Sequence, residues 1–188
     1  MVIDNAVPPT LFNKIKNFLC TDVCPWYHYN NVARPTESEI LFDHGFGHIV
    51  MEDGEHKSNI SPFLESAIFS ALDSISQSPK NLRRIRAGLL TITNSTIVHT
   101  PHVDYFTPHK TGILYMNDSD GDTRLFHQIQ PEIVNKYLDD GASLEKKLEH
   151  ADQYIRSGFT TEHRITPKAN RLLLFNGMQY HTAGMPVT

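Results

Sequence analysis

Apolar residues recur at helical spacing twice within the first eighty positions. In PTLFNKIKNFL, residues 9–19, Leu11, Ile15, Phe18 and Leu19 fall on one side of a helix behind Pro9 and Thr10, which predicts an amphipathic helix that packs on a sheet. Ser61-Pro62 opens a second, where Leu64, Ile68, Leu72 and Ile75 repeat along one face up to the break at Ser78-Pro79. Between the two, residues 21–60 are rich in His, Asn, Gly and Asp, with short apolar pieces at Glu39–Asp43 and Gly47–Met51. These predict loops and short strands.

From Leu82 the period changes. RRIRAGLLTITNSTIVH is dense in Ile, Leu, Thr and Val and alternates as a strand does. Further strands are expected at Thr111–Met116, Asp122–Phe126, Thr161–Ile165, Arg171–Phe175 and Gln179–Ala183, separated by Gly, Asp, Asn and Pro. The stretch from Pro131 to Ile155 contains IVNKYL and LEKKLEHADQYI, polar and of helical period. It predicts a helical insertion near 131–157 between two core strands, placed to act as a lid or as plain decoration. The expected fold is mainly β (α+β), with helices buttressing a sandwich or barrel of jelly-roll type. A chain of 188 residues fits one domain: a helical and loop part over 1–80 and a β core over 81–188.

Composition narrows the class. Hydrophobic content of 39% and charged content of 20% belong to a globular chain. A net charge of -4 gives no electropositive surface for nucleic acid, so a peptide or small molecule is the expected partner; oligomeric state is not legible. MVIDNAVPPT has neither a basic nor an apolar leader region, and no apolar run approaches the roughly 20 residues of a membrane span. A cytoplasmic location away from membranes is therefore expected. Cys20 and Cys24 form neither a disulfide framework nor paired zinc motifs and are expected as reduced thiols.

Position singles out a few of the eleven histidines. In VHTPHVDYF, residues 98–106, His102 and Asp104 are two apart, and in a strand such residues point to one face, about 6.5–7 Å apart. An imidazole and a carboxylate on one edge, joined by a distant second histidine, make the facial triad that suits iron(II) and leaves positions open. His181, in the last expected strand, is the third ligand of choice. Taken alone, the H-x-D tripeptide also fits a surface His and Asp. His99 is out of phase with His102, and His109 follows Pro108 in an expected turn.

HTPHVDYF, then TGILYMNDSDGDTRLF, then ITPKANRLLLFNGMQYHTAGMP, resemble in order and spacing the prolyl-4-hydroxylase-like branch of the 2-oxoglutarate and iron(II)-dependent oxygenases. The resemblance covers Arg83 to Pro186. It implies a double-stranded β-helix and a single oxygenase domain over 1–188. It also implies iron(II), 2-oxoglutarate and O2 as cofactors, with ascorbate as an accessory reductant, and Tyr115 as a hydrogen-bond partner of 2-oxoglutarate; a core aromatic is the other reading of Tyr115. The implied reaction couples oxidative decarboxylation of 2-oxoglutarate to hydroxylation of a C–H bond in a peptidyl (prolyl) or small-molecule substrate. Asp104 favours hydroxylation, since related halogenases carry a small residue there.

One family feature lies elsewhere. An Arg or Lys about ten residues beyond the distal histidine normally pairs with the C5 carboxylate of 2-oxoglutarate, and from His181 that position falls past Thr188, where a further strand is expected. Arg171, Arg86, Lys110 and Arg124 are the substitutes in hand, and none is assigned the role. Two other readings stand beside the oxygenase: a non-catalytic jelly-roll module with a structural metal, and an iron enzyme that does not use 2-oxoglutarate. Asn117–Asp122 lacks the ligand spacing of a calcium loop and is expected as a turn. Arg83, Arg84 and Arg86 read as solvated strand edges. Trp26, Tyr27, Tyr29 and Phe46 suit either a substrate channel or the core.

Overall fold

The computed structural model describes residues 1–29, 44–92, 99, 101–105, 107–129 and 159–188. Pro9 starts helix α1 (Pro9–Leu19), a position that suits a residue with no N–H to satisfy, and no side chain caps the helix because the N-cap residue, Pro8, carries no side-chain acceptor. Its buried face is Phe12, Ile15 and Leu19, with Leu11 and Phe18 partly buried. The buried face thus takes in Phe12 beside the expected Ile15 and Leu19, and Leu11 and Phe18 lie at its edges.

Helix α2 (Ser61–Asp73) buries Leu64, Ala67, Ala71 and Leu72. It stops before the expected break at Ser78-Pro79, for a reason found in the backbone. Ser76 adopts φ 55°, and Gln77 N–H donates to Leu72 C=O (2.9 Å) while Ser76 N–H donates to Asp73 C=O (3.0 Å). That pair of bonds around a left-handed residue is the Schellman closure, which uses up the last helical carbonyls.

Ten short strands accompany the helices among the described residues: β1 (Val2–Ile3), β2 (Tyr27–Tyr29), β3 (Gly45–Glu52), β4 (Glu55–His56), β5 (Arg84–Leu89), β6 (Lys110–Tyr115), β7 (Thr123–Ile129), β8 (Thr161–Ile165), β9 (Arg171–Asn176) and β10 (Gln179–Ala183). The molecule is a β-rich α+β protein. The expected strands over 111–116, 122–126, 161–165, 171–175 and 179–183 appear within a few residues of those bounds, while the pieces at Glu39–Asp43 and 93–98 and the helical insertion near 131–157 lie outside the described residues.

Three antiparallel sheets form. In the first, β3 lies between β2 and β5 and also pairs with β4; the second runs β1-β9-β6 and the third β10-β7-β8. Val50, Met51 and Ile85 of the first sheet share one core with Phe12, Ile15, Leu64, Ala67 and Leu172, so both helices pack on sheet. A second core joins the other two sheets through Leu125, Ile165, Leu173 and Phe175, flanked by Ile113 and Tyr115.

The pairings of the second half are nested. His102 is bridged to His181, Lys110–Tyr115 pairs with Arg171–Asn176, and Thr123–Phe126 pairs with Thr161–Ile165. Segments from 102 onward therefore meet segments from 181 backward in reverse order, as the two arms of one long antiparallel ribbon. Because β10 also pairs with β7, setting His181 opposite Leu125, the outer end of the ribbon lies beside its inner end. The N-terminus is tied to the same ribbon: Asn170, at φ 62°, accepts from Val7 N–H (3.0 Å) and donates to Val7 C=O (2.8 Å).

Among the described residues, no helix is long and apolar enough to cross a membrane. Cys20 is exposed and Cys24 buried, both as free thiols. The stretch from Asn117 to Asp122 is the expected connection between β6 and β7.

Candidate metal centre

His102 and His181 exchange both backbone hydrogen bonds, at 2.9 and 3.0 Å. Such a hydrogen-bonded antiparallel pair sends both side chains to one face, and the two rings lie 4.7 Å apart between centroids. Asp104 completes the set: one ligand atom from each of the three residues lies within 4.8 Å of the others, the sole such group of His, Cys, Asp or Glu among the described residues.

The route to that convergence differs from a single strand carrying both His102 and Asp104. His102 sits in an isolated bridge and Asp104 in a bend. Continuing the ladder would set Asp104 opposite Gln179, where β10 carries a register shift. The Gln179 carbonyl is turned to the His181 ring instead, with Nδ1 at 3.3 Å. The chain leaves the ladder there, and Asp104 arrives without strand pairing.

Protonation follows from these contacts. A carbonyl only accepts, so Nδ1 of His181 carries the proton and donates to Gln179, leaving the lone pair of the neutral ring on Nε2. Burial, reinforced by the charge of His102, lowers the His181 pKa to about 4, and the ring is neutral at ordinary pH. Burial also penalises the Asp104 carboxylate, but positive charge outweighs it, from His181 and His102 where they are protonated in acid and from Arg84 and Arg86, and holds the carboxyl below its ordinary range.

The result is a lone pair on His181 Nε2 facing a carboxylate oxygen, Asp104 Oδ2, at 3.6 Å. Two acceptors so placed repel unless a cation lies between them. Two imidazoles and one carboxylate, hard-to-borderline N and O donors, fit iron(II) or a similar divalent ion. Phe175 packs edge-on against the His181 ring at 4.9 Å and supplies an apolar wall.

Tyr115 stands on β6 in the same interior cluster as Phe175. Its hydroxyl donates to Thr123 Oγ1 at 2.8 Å, and burial raises its pKa, so it stays a protonated donor. Thr123 had no signal in the sequence, because the pair forms only when β6 and β7 come together. His99 and His109 stand outside the metal group. His109 turns Nδ1 to the Thr107 carbonyl (2.7 Å) and sets its ring edge-on to Tyr105 at 5.5 Å.

The reading of the β5 arginines as solvated edges is corrected for Arg84, whose side chain is 23% exposed and donates to Asp104 Oδ1 at 2.5 Å. Twenty residues separate the two, so nothing local in the sequence announces the pair. Of the candidate cations for a co-substrate carboxylate, Arg171 is taken by a two-pronged pair with Asp4 at 2.6 and 3.0 Å, and Lys110 donates to Gln77 (2.8 Å). Among the channel candidates, Trp26 packs on the main core and Tyr27 is exposed. No family model matches the chain, and no curated protein is similar to it.

Proposed function

We propose that the protein is a 2-oxoglutarate-dependent iron(II) oxygenase that hydroxylates a C–H bond of a peptidyl or small-molecule substrate, with His102, Asp104 and His181 holding the metal. The observation that carries this reading is the convergence of those three residues, with a neutral His181 Nε2 aimed at Asp104 Oδ2 at 3.6 Å. The nested ribbon pairing, closed by β10 on β7, is the topology a double-stranded β-helix requires, and we read the fold so.

Bound iron(II) would supply the activation of O2 that couples decarboxylation of 2-oxoglutarate to oxidation of the substrate. The chain's own residues do the rest. His181 is oriented by its Nδ1–H on Gln179, so Nε2 alone is offered. Three protein ligands leave the remaining positions of a six-coordinate ion for co-substrate and O2. Tyr115 and Thr123 form a partly buried hydroxyl pair, and an O–H donor of this kind can receive a carboxylate of 2-oxoglutarate. Phe175 keeps water from one side of His181.

The test uses purified protein loaded anaerobically with iron(II). Addition of 2-oxoglutarate should produce a weak metal-to-ligand charge-transfer band in the visible, and admission of O2 should produce succinate. Metal binding with neither band nor succinate would replace this reading by a structural metal or an iron enzyme that does not use 2-oxoglutarate. Failure to bind iron(II) at all would overturn the metal centre itself.

A further inference from the structure

A ligand on a strand inherits its position from the ladder, but Asp104 lies in a bend with no strand partner. Arg84, the first residue of β5, holds it, and Arg83, just before the strand, holds residues that follow it. Arg84 donates from Nη2 to Asp104 Oδ1 at 2.5 Å, and its guanidinium carbon lies 4.9 Å from the centre of the Tyr105 ring. Arg83 lies over the same ring at 3.9 Å and donates from Nη1 to Thr107 Oγ1 at 2.9 Å. Asp104, Tyr105 and Thr107 are thus all gripped by neighbouring guanidinium groups.

β5 pairs with β3 from Arg84↔Glu52 to Leu89↔Phe46, and Ile85, between Arg84 and Arg86, is buried in the core shared by both helices. The grip also divides the carboxylate: Oδ1 is held by Arg84, and Oδ2 faces His181 Nε2. A carboxylate pinned at one oxygen binds a metal through the other only, whereas a free one can swing to offer both and fill a position otherwise open.

We propose that Arg83 and Arg84 are positioning residues for the metal centre, standing in for the strand pairing that Asp104 lacks and restricting that ligand to one oxygen. The proposal rests on the metal-centre reading above. Arg84 also repels a cation by its charge, but fixing the ligand in place outweighs that repulsion.

The experiment titrates the full chain with manganese(II), followed by calorimetry, in wild type, Arg84→Met, Arg84→Lys, Asp104→Ala and the Asp104→Ala/Arg84→Met double variant, with the metal-free melting temperature of each. Arg84→Met should bind about 10–100-fold more weakly, the usual effect of losing a partner of a metal ligand. Arg84→Lys should recover part of the loss, since an ammonium keeps charge and a donor but neither stacks on Tyr105 nor fixes direction. On the Asp104→Ala background Arg84→Met should change affinity no further, because its effect passes through that carboxylate.

Equal or tighter binding by Arg84→Met, or an undiminished loss in the double variant, would overturn the proposal. A purely structural role would lower the metal-free melting temperature and leave metal affinity in place. Should Arg84→Met not fold, Arg84→Lys and Arg83→Met carry the same comparison, and wild-type affinity in both would be equally fatal. If wild type binds no divalent ion, the metal centre fails together with the clamp; if wild type binds and the variants match it, the clamp alone fails.

Discussion

His181 shows how a single side chain acquires its chemistry from placement. Its imidazole pKa is moved from the usual 6.5 to about 4 by burial and by the neighbouring His102. Between those two values the unfolded chain binds more protons at this residue than the folded one, so stability rises with pH across the window. The contribution is fully present above pH 6.5 and is lost as pH falls toward 4; at about 1.4 kcal/mol per pKa unit it is on the order of 3 kcal/mol. Urea unfolding of metal-free protein at pH 7 and at pH 4.5 should show this loss, and His181→Gln should remove that share of the pH dependence. An unchanged pH dependence in the variant would mean that His181 is not the titrating group. The residue type is plain in the sequence, but its depressed pKa is not, because burial arises from the folded sheets.

At the scale of elements, periodicity located both helices and the strands of the ribbon, because one buried face leaves a repeat that can be read along the chain. Helix ends were harder. Nothing in SISQSP marks Ser76 as the left-handed residue that ends α2, since the Ser78-Pro79 break is the louder signal; the choice is made by the Gln77-to-Leu72 bond. A serine held at φ 55° is strained where glycine is not. Ser76→Gly should therefore raise stability by about 0.5–1 kcal/mol, the left-handed penalty less the greater chain entropy of glycine. Chemical denaturation checks this, and a loss of stability would show that the serine side chain matters more than its backbone. The i, i+2 argument for His102 and Asp104 named two residues that the fold brings together, by a geometry that the chain does not use. It could not foresee the bend at Asp104 that takes it out of any strand.

At the scale of the whole molecule, the metal group joins the two arms of the ribbon: His102 and Asp104 lie on one arm and His181 on the other, beside β7. A metal held there should stabilise the fold by mass action, about 2.7 kcal/mol at a free ion concentration 100 times Kd. Protection against hydrogen exchange should rise together at 101–105 and in β10, and a chelator should reverse it. Protection confined to one arm would show that the ion does not bridge the ribbon.

By itself, the sequence determined the alternation of apolar positions, and with it the helices, the strands and the choice of His102, Asp104 and His181, because those depend on residue type and short spacing. Only the tertiary structure decided how those three residues meet. The His102–His181 bridge, the bend at Asp104, the Arg84 pair and the Tyr115–Thr123 bond each join segments that are distant or separately paired, and such contacts exist only once the sheets have closed on one another.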